Sequence, residues 1–172
     1  MTIYLMRHGE AITLEETTSE NDADRTLTIE GKEKLYQYSR ALSLIGVSVD
    51  LVLTSPYKRA YETALIISEA MQEKPKIEEC ELLKPGEEIQ PLINHLNKRK
   101  DFNSVLIVGH EPYLGNLASV LISGKPSLNI RFKKGGICKI DISEFPPKGI
   151  GELVYLLTPK ILKSLKKKWS KL

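Results

Sequence analysis

A chain of 172 residues, 41% hydrophobic and 27% charged, has enough material for one buried core without disulfide staples. A net charge of +3 is too small to make the whole chain a nucleic-acid binder, and no apolar run reaches the roughly 20 residues of a membrane span. Cys80 and Cys138 stand far apart and form no C-x-x-C pair, and Met1 to Met6 is too short for a signal peptide, so two inert thiols in a soluble, cytoplasmic protein are expected.

Thr2 to Met6 reads as the first strand. Residues 11–28 are polar and acidic, with Glu15, Glu16, Glu20, Asp22 and Asp24, and are expected to form a surface loop, broken in tone by Arg25. Thr28 is placed to cap a helix in which Leu35, Tyr38, Leu42 and Ile45 recur at helical spacing before Gly46 ends it. Asp50 to Thr54 is a second strand. Ser55 is expected to cap the following helix and Pro56 to occupy its first position, with Ala60, Ala64, Ile67 and Met71 as the apolar stripe. Pro75 to Glu81 reads as a third strand and Glu87 to Lys98 as an amphipathic helix turning Ile89, Leu92, Ile93 and Leu96 inward. Ser104 to Val108 is a continuous apolar run, the mark of a strand covered on both faces. Leu114 to Ile122 is helical. Ile130 to Phe132 and Ile137 to Ile142 read as strands around a Lys133–Gly136 turn, and Glu152 to Leu157 as the last strand. This alternation predicts an α/β fold: a mostly parallel sheet with one antiparallel strand and helices on both faces.

No repeat or linker divides residues 1–158, which are expected to form a single domain. Residues 159–172 carry Lys160, Lys163, Lys166, Lys167, Lys168 and Lys171, with Ile161, Leu162, Leu165, Trp169 and Leu172 at spacings of three and four. This basic amphipathic helix is expected to pack on the same domain, because a helix after the last strand covers a sheet face. Contact with a membrane surface is the less favoured alternative.

Three strands end in polar residues. The first ends in Arg7-His8-Gly9, the second in Ser55-Pro56 followed by a helix bearing Arg59, and the central run in Gly109-His110. Ligands of open α/β sheets bind beyond the carboxyl ends of the strands, so Arg7, His8, Arg59 and His110 are expected on one rim, near helix N-termini that favour an anion. Arginine can grip a phosphoryl group with paired hydrogen bonds. A histidine among such cations stays neutral and is then a nucleophile for phosphorus. No cofactor or metal is expected: the chain has neither clustered carboxylates nor a G-x-x-x-x-G-K-[ST] loop.

Arg7-His8-Gly9-Glu10, Ser55-Pro56-Tyr57-Lys58-Arg59-Ala60-Tyr61-Glu62-Thr63 and Val108-Gly109-His110-Glu111-Pro112 together resemble, in order, the signature of the histidine phosphatase superfamily. The short form, with Leu27-Thr28-x-x-Gly31 after Arg25 and Leu156-Leu157-Thr158-Pro159 near the end, is similar to the SixA-type phosphohistidine phosphatases. The resemblance implies a phosphoglycerate mutase-like three-layer sandwich. It implies His8 as the phosphorylated nucleophile, Arg7, Arg59 and His110 as the phosphate pocket, and Arg25 as a further substrate contact. Related mutases and acid phosphatases carry long insertions that roof the site. Here the second helix is joined to the third strand by a few residues. An open site suits a phosphorylated protein of the histidine-phosphotransfer type better than a small sugar phosphate.

The acid that protonates a leaving group is less evident. Glu81, after the third strand, is the best-placed candidate, while Glu10 and Glu111 are expected to face away. Phosphohistidine, with a weak P–N bond, can dispense with an acid. His95 is expected to be structural. Lys133 and Lys134 are a solvated turn or a basic lip for an acidic partner, and Tyr57 and Lys58 can line the entrance. The competing functions are a small-molecule phosphomonoesterase, a phosphate-binding or interaction module without catalysis, and a nucleic-acid binder driven by the basic tail. The last is weakened by the lack of interleaved aromatics on the predicted strands.

Overall fold

The structure is a computed structural model that describes residues 1–99, 102–143 and 151–169, with side chains up to Leu165. Six strands form one sheet in the order β3-β2-β4-β1-β5-β6. The strands are β1 (Thr2–Arg7), β2 (Leu51–Thr54), β3 (Lys76–Glu79), β4 (Ser104–Gly109), β5 (Ile137–Asp141) and β6 (Glu152–Leu157), and the helices are α1 (Ile29–Leu44), α2 (Lys58–Glu69), α3 (Ile89–Lys98), α4 (Tyr113–Ser123) and α5 (Pro159–Trp169). β1 to β4 pair in parallel, and β5 runs antiparallel to both β1 and β6, so a single strand is reversed. The expected fold class is the one observed.

Alternation along β1 divides the core. Ile3 and Leu5 face α3 and α4, among Leu92, Leu96, Leu114 and Leu117, while Tyr4 and Met6 face α1 and α2, among Leu35, Leu42, Ala60 and Ala64. Every residue from Val105 to Val108 is fully buried, as a central strand with two covered faces requires. Leu162 of α5 is fully buried on the α1 side, so the amphipathic helix packs on the sheet domain. The expected apolar Trp169 and Leu172, and Lys166, Lys167, Lys168 and Lys171, have side chains outside the described residues. No helix among the described residues is long and apolar enough to cross a membrane.

Thr28 caps α1 as its position implied, its hydroxyl accepting from Gly31 N at 2.9 Å. Gly31 also lets α1 lie against the chain beyond β1: a Cβ there would come within 2.3 Å of the Glu10 carbonyl oxygen.

Two local expectations are corrected. Ser55 does not cap α2, which starts at Lys58 with Tyr57 at the cap position and no side-chain cap bond. Ile130 to Phe132 is not a strand. Phe132 N donates instead to Glu111 Oε1, and its carbonyl accepts from Arg7 Nη1 at 2.9 Å, so this segment spends its backbone groups on the rim rather than on a ladder. α2 and β3 are joined by residues 70–75 alone, with no insertion over the sheet.

Candidate active site

The parallel register brings the strand ends level: Arg7 lies opposite Gly109, and Thr54 opposite Val108. The ladder continues one residue past the strands. His8 N donates to Gly109 O at 3.1 Å and Ser55 N to Val108 O at 3.0 Å. His8, Ser55 and His110 therefore sit side by side, each less than a tenth exposed, with the two imidazole centroids 5.1 Å apart.

The tautomer of His8 follows from its partner. Nδ1 lies 2.7 Å from Gly9 O, and a carbonyl can only accept, so Nδ1 carries the proton and Nε2 keeps a free lone pair. Burial above all, then the charge of His110, pushes the His8 pKa down to about 3 despite the opposing bond to Gly9, and Arg59 and Arg7 add to the fall. His8 is thus a neutral imidazole with a free lone pair at any physiological pH.

His110 Nε2 is 2.9 Å from Ser55 Oγ, which also accepts from Tyr57 N at 3.4 Å. His110 Nδ1 is buried and has no protein partner; it carries the ring proton in the tautomer in which Ser55 donates to Nε2. Burial, and next the Arg59 charge, lower the His110 pKa to about 3, against a raising effect of Asp22. Arg7 Nε is likewise buried without a partner. Buried polar atoms are normally satisfied, so two unpartnered nitrogens on the residues next to His8 in chain and in space suit an anion's oxygens.

Arg59 projects from the first turn of α2 and is about 95% buried. Its Nη1 donates to Asp22 O at 2.7 Å and its Nη2 to Asp22 Oδ2 at 2.8 Å. The Tyr57 ring lies 5.1 Å from the guanidinium and 5.2 Å from the His110 ring, at the mouth of the site. Asp22 Oδ1 accepts from Arg25 Nη1 at 2.7 Å, while Arg25 Nε donates to Ile12 O at 2.6 Å. Burial alone would raise the Asp22 carboxyl, but the bonds from Arg25 and Arg59 outweigh it and hold its pKa below the ordinary value.

The acidic loop is therefore more ordered than its composition implied. It carries a 3-10 turn, Asp22–Asp24, capped by Asn21, and the bridge Ala11↔Leu27 closes its base. Asp24 pairs with Lys58 at 2.8 Å, and Glu62 of α2 accepts from Leu27 N at 2.6 Å. Thr63 fixes the turn after His8, accepting from Gly9 N at 3.0 Å.

Arg7, His8, Arg59 and His110 come together as expected, and Arg25 joins them through Asp22. Glu81 does not. It stands in the 3-10 turn after β3, its side chain 71% exposed and bonded to Lys84. Glu10 pairs with Lys34 at 2.7 Å, and Glu111 holds Phe132 N and Gly115 N, so both are occupied away from the histidines. His95 lies on α3, away from these strand ends. Sequence reasoning missed Asp22, Ser55 as a histidine partner, and the Phe132 carbonyl. Only Asp22 had a local signal, its spacing of three from Arg25 on a turn.

Comparison with known proteins agrees with this geometry. The family described as histidine phosphatase superfamily (branch 1) matches residues 3–84. The phosphohistidine phosphatase SixA homolog of Haemophilus influenzae is 34% identical over 130 residues, covering 70% of this chain and 77% of that protein. The structure of the protein histidine phosphatase SixA complexed with tungstate superimposes with a TM-score of 0.82 at 25% identity, over 95% of this chain and 100% of that one. The α-ribazole phosphatase from Shigella flexneri shares the fold, with a TM-score of 0.74 at 20% identity over 92% of this chain and 97% of the other. The chain belongs to the histidine phosphatase superfamily, among its SixA-type members.

Proposed function

We propose that this chain hydrolyses phosphohistidine in a protein of the histidine-phosphotransfer kind, through a covalent phosphoryl intermediate on His8 and without a metal ion. The observation that carries the proposal is the 2.7 Å bond from His8 Nδ1 to Gly9 O, which leaves Nε2 as the free nucleophile on a ring 5.1 Å from that of His110. The Nε2 lone pair attacks phosphorus, and the P–N bond of the substrate breaks with its electron pair going to the leaving imidazole, which takes a proton from solvent. Phosphorylated His8 is then an imidazolium whose Nδ1 proton is already held by Gly9 O. Arg7, Arg59 and the His110 Nδ1–H face the charge on the phosphoryl oxygens, and positioning plus electrostatics is most of what phosphoryl transfer requires. Water attacks the phosphorus next, the bond to Nε2 breaks, and phosphate and neutral His8 are released.

The protein substrate is supported by the short 70–75 connection, which leaves the rim unroofed, and by the similarity to proteins named phosphohistidine phosphatases. Arg25 contributes through Asp22 to the phosphate grip, and Glu81 is the candidate acid for leaving groups poorer than imidazole.

The test is to incubate the wild type and His8→Ala with a histidine-phosphorylated phosphotransfer domain and with an aryl phosphate, with and without chelator. Acid-labile phosphate is expected on His8, the variant is expected to lose at least about 10³-fold in rate, and chelation is expected to change nothing. Activity surviving in His8→Ala, phosphate trapped elsewhere, or loss on chelation each overturns the mechanism. Faster turnover of the aryl phosphate than of the phosphoprotein overturns the substrate class.

A further inference from the structure

The charges around the pocket do not balance side by side. Of the carboxylates that border it, Asp22 is taken by Arg59 and Arg25, Asp24 by Lys58 and Glu10 by Lys34 with Lys134 also acting on it, while Glu111 is held by the Phe132 and Gly115 backbone N–H groups. Arg131, Lys133 and Lys134 are exposed on either side of the buried Phe132, and none makes an ion pair among the described residues. They stand at the rim because the backbone beneath them is part of the site. Phe132 O receives Arg7 Nη1, Gly135 N donates to both Arg7 O and His8 O at 3.0 Å, and Arg7 N donates to Gly136 O at 3.1 Å. Gly135 turns the chain there with a φ of +75°. The segment is flanked on one side by a hollow of ≈ 350 Å³ that includes Glu111, Leu128 and Arg131, and on the other by one of ≈ 170 Å³ that includes Gly9 and Lys134.

Three exposed cations without an ion-pair contact among the described residues, all outside the phosphate pocket, are more than a phosphoryl group needs. We propose that Arg131, Lys133 and Lys134 form a docking ridge for an acidic protein surface, one whose phosphorylated histidine is flanked by aspartates and glutamates. This rests on the phosphohistidine reading of the site and names the partner's chemistry. A protein is favoured over an anionic membrane because the backbone of the ridge is bonded directly to Arg7 and His8, which puts its charges beside the reacting group. Exposed rim charges act mainly on encounter and salt dependence, so the ridge speeds capture of the partner and leaves the chemistry alone.

The experiment compares wild type with Lys133→Gln/Lys134→Gln, and with the reversal Lys133→Glu/Lys134→Glu, on three probes: an acidic histidine-phosphorylated domain, free phosphohistidine, and an aryl phosphate. At low salt the neutralised variant is expected to lose about tenfold in kcat/KM on the phosphoprotein and the reversed variant more, with less than a twofold change on the two small substrates. At 1 M salt, where the screening length is about 3 Å, the difference on the phosphoprotein should largely vanish. No loss on the phosphoprotein, or an equal loss on all three substrates, overturns the ridge. A wild type that cleaves free phosphohistidine and no phosphoprotein overturns the ridge and leaves the chemistry standing. One that cleaves neither overturns the function and the ridge with it. Loss of binding to anionic vesicles with unchanged phosphoprotein kinetics assigns the ridge to a lipid surface and overturns it as a protein site.

Discussion

The two sides of the pocket are held by different forces. On one side His8, Ser55 and His110 continue β1, β2 and β4, and backbone bonds carried past the strand ends fix them in a dry setting. On the other, Asp22 grips Arg59 and Arg25 from a loop, with 40% of its side chain exposed. The reacting atoms are thus set by the sheet, and the orientation of the charged grip is set by side-chain bonds on an acidic loop. The difference teaches that chemistry and affinity are separable here, and variants on each side should show it.

Among variants of the charged grip, the largest effect is expected from Arg59→Lys. Lysine cannot make a paired grip on the phosphoryl oxygens or hold both Asp22 acceptors, so kcat/KM on a phosphoprotein should fall by about 10²–10³-fold. Asp22→Asn comes next. The amide can still accept from Arg59, but its NH₂ group opposes Arg25, and the loss expected is about tenfold in kcat/KM, with His8 still phosphorylated in trapping experiments. A rise in kcat/KM would break the comparison, because it would mean that the loop competes with phosphate for Arg59 instead of aiming it.

Stability against pH separates the two sides without substrate. Both histidines have pKa values of about 3 in the folded protein and about 6.5 when unfolded, so the unfolded chain takes up protons first. Their contribution is complete above pH 6.5 and is lost as pH falls from there, by about 1.4 kcal/mol per pH unit for each histidine. The lowered Asp22 pKa works in a lower window: its contribution is complete above about pH 3.9, the unfolded value, and is lost as pH falls through the folded one. Denaturant unfolding between pH 5 and 7 should therefore show a slope that His8→Gln/His110→Gln flattens and Asp22→Asn does not. The smallest effect is expected from Glu81→Gln, under twofold on phosphohistidine, since that carboxylate is bonded to Lys84 and imidazole leaves without help. A loss above tenfold would make Glu81 the acid.

What could be read in the sequence was what local chemistry determines. Thr28 ahead of an apolar helical repeat marks a helix start, and the Val105–Val108 run, short and rich in β-branched residues, marks a covered strand. The two arginines and two histidines were legible because strand ends converge in such sheets. Ser55 was misread because Ser-Pro carries a helix-start signal, while its real partner, His110, lies 55 residues away. Ile130 to Phe132 has a strand's composition, but pairing depends on a neighbour with a free edge. Glu111 and Arg7 reached the Phe132 backbone first. Asp22 was hidden by its company: five acids within residues 15–24 look alike until folding brings one of them to Arg59.

The two bonds from Gly135 N to Arg7 O and His8 O have a kinetic consequence. On the proposed reading, ridge and His8 share one piece of backbone, so the place where a partner first touches is bonded directly to the place where its phosphoryl group must arrive. Capture and alignment become one event, and turnover of a well-matched partner should track the rate of collision, rising with its acidity and falling with solvent viscosity.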